Sequence, residues 1–323
     1  MKKLICAFLA CMLILITGCG SKKAEDTRWP VEVNGVTFES AVKKAVSLSP
    51  TVTESMYMMG YGGRLVGMSE FCAAPKSAKK PARVGNSLLA DTESIVKLSP
   101  DVVFTSVQLP KNAVEALNAA EIKIVVIPPA ESSEQILDNC RLIATAFEGS
   151  EKAQLIYEQL ELFFETTLDY IAECLENEID PGETTAVYLR KTPLVLATGD
   201  SLENELLQRI GFVNPAAEFE DWSYPSEETD SLSPDIIFRD KSVQKKAMLK
   251  SEFYANSPAV AEEKVFSLDA KVFERRSPRL FFELEETMRE AFPEAFENEK
   301  PSFVMDIEPP PEPEKSWWEK LFD

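Results

Sequence analysis

The chain has 323 residues, 45% of them hydrophobic and 19 of them Phe, so it can bury the cores of two ordinary lobes and is not a disordered chain. Its 54 Asp and Glu residues outnumber its 34 Lys and Arg residues, giving a net charge of −20, which argues against nucleic acid as a partner because phosphates attract basic surfaces. His is absent from the sequence, which excludes Ser-His-Asp and Cys-His catalysis and imidazole ligation of a metal.

Residues 1–18 are typical of an export signal. A basic start is followed by an apolar run of thirteen residues, 4–16, which is shorter than the roughly 20 residues that span a membrane. The run ends in "ITGC", which looks like the lipobox of bacterial lipoproteins and so implies lipidation of Cys19, with residues 19–30 as a tether. An ordinary secretory signal with a chance Cys is the alternative. Without the signal, 32 basic residues face 54 acidic ones, so membrane attachment is expected from the lipid and not from a basic patch.

Residues 31–148 alternate short apolar runs with helical patterns, which predicts a first lobe with a parallel α/β sheet. The expected elements are a hairpin at 29–38 that turns at Asn34-Gly35, strands within 45–49, 61–69, 101–106 and 123–129, and helices at 51–60, 91–99, 111–120 and 132–147.

The spacing of apolar residues then changes and predicts one long helix within 149–180. From Glu151 to Asn177 there is no Gly or Pro, and apolar residues fall three or four apart on one face. A helix of this length spans about 40 Å, which suits a brace between two lobes.

The α/β rhythm resumes over 181–296, which predicts a second lobe. Strands are expected at 185–190, 235–238 and 264–269, and helices at 201–211 and 277–292. The predicted fold class is therefore α/β, with two Rossmann-like lobes joined by one long backbone helix. Residues 297–323 form a Pro-rich tail with an aromatic end, which could pack on a partner, lie in a lipid interface or fold back on its own domain.

Cysteine usage does not indicate a disulfide framework. With the signal and the lipidated residue set aside, Cys72, Cys140 and Cys174 remain at wide spacing. An odd number favours buried thiols, although one pair could join.

One motif occurs twice, as "ESIVKLSPDVVF" (93–104) and "EETDSLSPDIIF" (227–238). In each copy a Glu is followed seven residues later by Pro, then by Asp and three apolar residues. Three explanations for the repeat are open: the two lobes are related, the same contact is made twice, or the second copy arose by chance.

Four segments together resemble a known family. They are "SLSPTVTESMYMMGYGGRLVGMSEFC" (47–72), "ARVGNSLLADTESIVKLSPDVVF" (82–104), "TGDSLENELLQRIGFVN" (198–214) and "VFERRSPRLFFELEE" (272–286). They resemble the class III substrate-binding proteins of ABC importers, two-lobed binders of cobalamin, ferric siderophores and haem, and the last segment is closest to the cobalamin binders. The resemblance covers about 29–293 and implies an extracytoplasmic, lipid-anchored protein that is not an enzyme and that delivers its ligand to a permease dimer with its ATPase.

The same resemblance implies two docking residues. In this family each lobe presents a surface Glu to Arg pockets on the permease, and the matching positions are Glu93 and Glu227, with Glu228 as a close rival. The alternative is that both residues only favour the start of a helix.

Ligand groups are expected at strand ends that face the other lobe. Aromatic rings would supply flat contact area and Arg would pair with carboxylate or catecholate groups. The expected residues are Phe71, Ser87, Tyr188, Arg190, Trp222, Tyr224, Phe273 and Arg275. Core packing is the alternative for Phe71 and Phe273, and a solvated surface role is the alternative for the two Arg residues.

The expected ligand is a corrinoid or an Fe(III) chelate, with haem a weaker candidate, and no resident metal or cofactor is expected. An aromatic residue often occupies the position of Ser87 in cobalamin binders, which puts cobalamin in doubt. Two other classes stay open: a surface lipoprotein that binds or senses without transport, and a hydrolase that uses carboxylates alone. The sequence lacks G-x-S-x-G, P-loop and G-x-G-x-x-G motifs.

Overall fold

The computed structural model describes residues 27–75, 80–227, 232–251, 253–268, 273, 275–297 and 307–308. The predicted export signal, the predicted lipidation site Cys19, most of the tether, Glu228 and nearly all of the 297–323 tail lie outside these ranges. Across the part of the chain that is described, no helix combines the length and the apolar character needed to cross a membrane.

The first lobe alternates strands and helices, as the sequence predicts. Its strands are β1 (Val31–Val33), β2 (Val36–Phe38), β3 (Ala45–Ser47), β4 (Leu65–Met68), β5 (Ala74–Pro75), β6 (Ala82–Arg83), β7 (Val102–Thr105) and β8 (Lys123–Val126). Its helices are α1 (Pro50–Met58), α2 (Thr92–Leu98), α3 (Lys111–Ala119) and α4 (Ser133–Glu148). One five-stranded sheet has the order β6-β4-β3-β7-β8, with every neighbouring pair parallel.

The first two strands form the predicted hairpin. β1 and β2 are antiparallel, and Asn34 and Gly35 turn the chain with φ angles of 46° and 78°. Two successive residues in the left-handed region are what a two-residue type I′ turn requires, which explains the Asn-Gly pair.

A single helix, α5 (Ser150–Leu175), joins the lobes and confirms the predicted brace. It follows α4 after Gly149, whose φ of 86° and ψ of 165° are open to Gly but disfavoured for other residues, so the chain changes direction there without a loop.

The second lobe has a smaller sheet. Its strands are β9 (Ala186–Lys191), β10 (Val195–Leu196), β11 (Ile236–Asp240) and β12 (Val265–Leu268), and its helices are α6 (Leu202–Arg209), α7 (Lys245–Met248), α8 (Pro258–Ala261) and α9 (Arg279–Ala291). The order is β10-β9-β11-β12; β9, β11 and β12 run parallel, and β10 is an antiparallel edge strand that the sequence pattern did not indicate. A further strand, β13 (Ile307–Glu308), lies beyond this lobe in the chain.

The long helix is buried at each end in a different core. Ala153 belongs to the first-lobe core, while Phe164, Leu168 and Ile171 belong to the core of the second lobe. Leu160 packs against both cores. The apolar stripe read from the sequence therefore fixes both lobes to one rigid element.

The repeated motif has a structural role in both lobes. The Oδ2 atom of Asp101 accepts hydrogen bonds from the backbone N–H groups of Lys43 and Lys44 at 2.7 and 2.9 Å, just before β3 begins. The Oδ2 atom of Asp235 accepts from the backbone N–H and the hydroxyl of Thr185 at 2.8 and 2.7 Å, just before β9 begins. Each Asp therefore ties the start of its own strand to the start of the neighbouring parallel strand.

Cys72, Cys140 and Cys174 are free thiols. Burial raises the pKa of Cys72 to about 11 and that of Cys140 to about 12, so both stay protonated at neutral pH. Cys72 and Cys140 therefore match the expectation of buried thiols, whereas Cys174 is only half-buried.

The shared role of the two Asp residues is open to test. Asp101→Ala and Asp235→Ala should each lower the free energy of unfolding by about 1–2 kcal/mol, because two N–H or O–H donors lose a charged acceptor. The control is Asp138→Ala, which removes a partly exposed ion pair with Arg141 and should cost about 0.5 kcal/mol or less. Chemical denaturation measures the free energy of unfolding of all three variants. If Asp101→Ala and Asp235→Ala lose no more stability than Asp138→Ala, the proposed role of the two Asp residues is wrong.

Candidate functional site

The two sheets meet at their carboxyl ends. Thr51 follows β3, and its hydroxyl donates a hydrogen bond to the carbonyl oxygen of Arg275, which follows β12. The cleft between the lobes is therefore lined by the loops that leave the parallel strands, which is where open α/β sheets bind their ligands.

A buried carboxylate crosses between the lobes at this place. Glu54, on α1 of the first lobe, has a side chain that is only 3% exposed. It accepts hydrogen bonds from Arg275 Nη1 at 2.7 Å and Ser277 Oγ at 2.9 Å, and Arg279 Nη1 lies 3.7 Å from it. We call Glu54, Arg275, Ser277 and Arg279 the interlobe ion cluster. Arg275 was expected to contact the ligand. In the structure its guanidinium is instead paired with Glu54.

The first-lobe wall of the cleft exposes an apolar patch. Phe71 is 51% exposed, Leu88 72%, Leu89 78% and Val107 45%. All four lie in loops that follow β4, β6 or β7 at the carboxyl edge of the sheet. Solvent-exposed leucines beside one another require a reason, and binding of an apolar partner or ligand is the usual one.

Local hydrogen bonds explain why Leu88 and Leu89 point outward. The Oδ1 atom of Asn86 accepts the backbone N–H groups of both leucines at 2.9 and 3.0 Å, an Asx-type turn. Gly85, with φ of 78°, precedes it, and a Cβ there would lie 2.1 Å from the carbonyl oxygen of Leu89. Only Gly fits this turn, so the backbone fixes the leucines in place.

Polar contacts hold the loops of the apolar patch together. Asn86 Nδ2 donates to Glu70 Oε1 at 2.7 Å, which joins the loop of Leu88 and Leu89 to the loop of Phe71. The hydroxyl of Thr105 donates to Ser87 Oγ at 3.2 Å, and Ser87 Oγ donates to the carbonyl of Leu48 at 3.1 Å. Ser87 therefore lies at the predicted edge, where it joins the carboxyl ends of β3 and β7.

The second-lobe wall carries a cation and an aromatic ring. The guanidinium carbon of Arg190 lies 5.2 Å from the ring centroid of Trp222, a cation–π arrangement. Both residues line an open concavity of about 720 Å³ together with Lys191, Ser242 and Gln244. This volume is within the usual range of ligand sites.

Trp222 is held in an unusual backbone conformation. It and Asp221 have φ angles of 58° and 57°, and non-Gly residues rarely adopt this region. The Trp222 N–H donates to Thr198 Oγ1 at 2.9 Å, and the Asp221 N–H donates to Asp200 Oδ2 at 3.0 Å. Strained backbone of this kind is concentrated at functional sites.

Three predicted ligand residues are placed in the core instead of on the cleft surface. Tyr188 and Phe273 belong to one second-lobe cluster, where their ring centroids are 5.3 Å apart, and Tyr224 is buried in another cluster beside Phe219. The physical reason is that β9 is buried on both of its faces from Ala186 to Leu189, so Tyr188 lies in the core, while Arg190 and Lys191 are exposed at the carboxyl end of the strand. Tyr188 still touches the site indirectly, because its ring lies edge-on to Trp222 at 6.2 Å.

Electrostatics behind the second-lobe wall include a buried acid. Desolvation by burial raises the pKa of Glu203, while the Arg276 and Arg190 charges act to lower it. Arg276 itself donates to the carbonyl oxygen of Ala130 at 2.6 Å, a second contact between the lobes. Within the described ranges, no three His, Cys, Asp or Glu side chains are grouped so that they could hold a metal ion.

The two described docking candidates are on the surface. Glu93 is in the first turn of α2 and pairs with Lys97 at 2.6 Å, with both side chains largely exposed. Glu227 is exposed and accepts a hydrogen bond from Ser226 at 3.1 Å. Neither lines the concavity of the cleft.

These features are those of a two-lobed α/β protein with a cleft between the lobes. The sequence profile described as Periplasmic binding protein matches residues 46–272, and the chain belongs to this family of extracytoplasmic solute-binding proteins, which are not enzymes.

Known relatives agree with this assignment. The chain is 28% identical over 312 residues to the "Uncharacterized ABC transporter substrate-binding lipoprotein YvrC" of Bacillus subtilis, covering 90% of this chain and 98% of the relative. It is 27% identical over 243 residues to the "Vitamin B12-binding protein" of Yersinia pestis, covering 74% and 83%. A solved structure of a possible iron-binding protein from Staphylococcus epidermidis superposes with a TM-score of 0.63 at 18% identity, covering 78% of this chain and 100% of that one, which confirms the fold.

Sequence reasoning missed the exposed leucines and the ion cluster. Leu88 and Leu89 were part of a quoted family motif, but apolar residues are normally read as core. The Asn86 that follows Gly85 was the available signal, since Gly-Asn indicates a tight turn. No pattern in the sequence pairs Glu54 with residues more than two hundred positions away.

The interlobe ion cluster generates a stability prediction. Glu54→Ala should lower the free energy of unfolding by about 3 kcal/mol, because it leaves Arg275 without its buried counter-charge and Arg279 with only its pair to Glu283. Glu93→Ala, which removes only an exposed pair with Lys97, is the matched control and should change stability by about 0.5 kcal/mol or less. Thermal and chemical denaturation decide the matter; a Glu54 loss as small as the control would show that the cluster contributes nothing.

Proposed function

We propose that the protein captures a bulky metal chelate, a corrinoid or a ferric siderophore, in the interlobe cleft and delivers it to an ABC permease. Haem is the weaker candidate. The observation that carries the proposal is the pairing of an exposed apolar patch on one wall with a cation and an indole ring on the other. A large ligand with apolar faces and an anionic edge matches both walls.

The chemistry of the two walls supports a preformed chelate over a bare ion. The apolar patch offers Phe71, Leu88, Leu89 and Val107, none of which ligates a metal. Arg190 and Lys191 favour an anionic group on the ligand. The vitamin B12-binding relative and the possible iron-binding structure are named for cargo of this class, which agrees with the proposal.

A lipid anchor and a permease partner complete the proposal. Lipidation at Cys19 is supported by the "ITGC" sequence and by the description of YvrC as a lipoprotein, and incorporation of labelled fatty acid into the wild type but not into Cys19→Ser tests it. Glu93 and Glu227, with Glu228 beside it in sequence, are the proposed contacts to the two halves of the permease.

A binding experiment tests the ligand class. Purified protein titrated with cyanocobalamin, a ferric catecholate, a ferric hydroxamate, haemin and free divalent metals should bind one of the chelates and none of the bare ions. Trp222→Ala should weaken that binding by about 10- to 100-fold, as expected for an aromatic hot spot.

Arg141→Ala provides the control for this loss, since Arg141 lies on α4 and pairs with Asp138 away from the concavity. Binding of a bare metal alone, or equal binding by Trp222→Ala and the wild type, would overturn the proposal.

Charge reversal tests docking separately from binding. Glu93→Lys and Glu227→Lys should leave ligand affinity unchanged and weaken uptake, more strongly at low ionic strength because exposed pairs are screened over about 10 Å at 0.1 M. The double variant should nearly abolish uptake in cells.

Uptake that survives the double reversal, and survives again with Glu228→Lys added, would show that the repeated motif is architectural only. Full uptake by cells that lack the proposed permease and ATPase would favour the non-transport alternative, a lipoprotein that binds or senses.

A further inference from the structure

The C-terminal extension returns to the first lobe. Phe296, near the end of the second lobe, is buried in the second-lobe core. Eleven residues later, β13 (Ile307–Glu308) pairs antiparallel with β5 (Ala74–Pro75) of the first lobe. The chain therefore crosses from one lobe to the other before its last fifteen residues.

This pairing brings the extension to the edge of the apolar patch. β5 begins three residues after Phe71, so the two are at most about 10 Å apart along the chain. Leu88 and Leu89 are joined to the same loop through the Asn86–Glu70 hydrogen bond.

The sequence after Glu308 is long enough to reach the apolar patch. It reads "PPPEPEKSWWEKLFD", a Pro-rich spacer that ends in aromatic and apolar residues. Trp317 lies nine positions after Glu308, and a Pro-rich spacer covers about 3.1 Å per position, or about 28 Å. The reach therefore exceeds the distance to Phe71 and is comparable to the width of a cleft.

The end of the chain also matches the patch in chemistry. Trp317 and Leu321, and likewise Trp318 and Phe322, are four residues apart, a spacing that puts all four side chains on one side of a helical turn. An apolar surface of this kind needs a partner as much as the exposed patch does. Acidic residues in the same segment are compatible with Arg190 and Lys191 on the opposite wall.

We propose that Trp317, Trp318, Leu321 and Phe322 dock on the apolar patch when no ligand is bound, so that the C-terminal segment competes with the ligand for the cleft. The competition rests on the proposed function, whereas the docking does not. A lipid surface and a second copy of the chain are the other possible occupants of the aromatic segment, and the experiments separate them.

Disulfide trapping tests the docking without any ligand. In a background with Cys19→Ser and Cys174→Ser, the pair Leu88→Cys and Phe322→Cys should form an intramolecular disulfide at least tenfold faster than Leu162→Cys with Phe322→Cys. Leu162 is a matched control because it is an exposed leucine on α5. Cross-linked dimers, equal rates for the two pairs, or loss of trapping on addition of phosphatidylglycerol vesicles would overturn the docking.

Truncation tests the competition. A chain that ends at Glu308 keeps β13 and should bind cyanocobalamin or the ferric catecholate about tenfold more tightly, as expected if the segment covers the patch about nine-tenths of the time. Trp317→Ala with Trp318→Ala should reproduce most of the gain at full length. In a Leu88→Ser, Leu89→Ser background, truncation should have no effect.

The two proposals fail in different ways. If neither chelate binds to any variant, the proposed function fails while disulfide trapping still decides the docking. If a chelate binds and truncation leaves its affinity unchanged or weaker, the competition is wrong and the proposed function stands.

Discussion

The long helix α5 is the constraint on which the rest of the structure depends. Its first turns are buried in the core of one lobe and its last three turns in the core of the other, so neither lobe can move without disturbing a packed interior. Packed cores resist continuous deformation, which makes one rigid brace a different connection from the flexible strands of a hinge.

The interlobe ion cluster is a second contact that fixes how the two lobes face each other. Glu54 leaves the carboxyl end of the first sheet, and Arg275, Ser277 and Arg279 leave the carboxyl end of the second. The partners of this buried carboxylate among the described residues come from the other lobe, so the cluster holds the two carboxyl edges opposite each other, and separation would break a buried ion pair. Arg275 is engaged in this contact, and Arg190 and Trp222 are the proposed ligand contacts of the second lobe.

The repeated motif combines two separate properties. Its Asp residues perform the same structural task in each lobe, because each accepts two hydrogen bonds at the start of a neighbouring parallel strand. Its Glu residues take no part in that task, and they lie exposed on the surface. Shared architecture therefore accounts for the Pro-Asp part of the repeat, and the two exposed carboxylates are the proposed contacts to a partner with matching symmetry.

The sequence by itself determined the alternation of strands and helices, the Asn34-Gly35 hairpin and the brace, because these depend on local turn chemistry and on the period of apolar residues. It also led to the prediction that Arg190, Trp222 and Ser87 contact the ligand, which stays a prediction. Only the tertiary structure decided which aromatic rings are buried. Tyr188, Tyr224 and Phe273 are buried by packing, and the sequence around them does not distinguish them from exposed aromatic residues. The same holds for the pairing of Glu54 with Arg275 and for the exposure of Leu88 and Leu89, because contacts between residues far apart in sequence leave no local pattern.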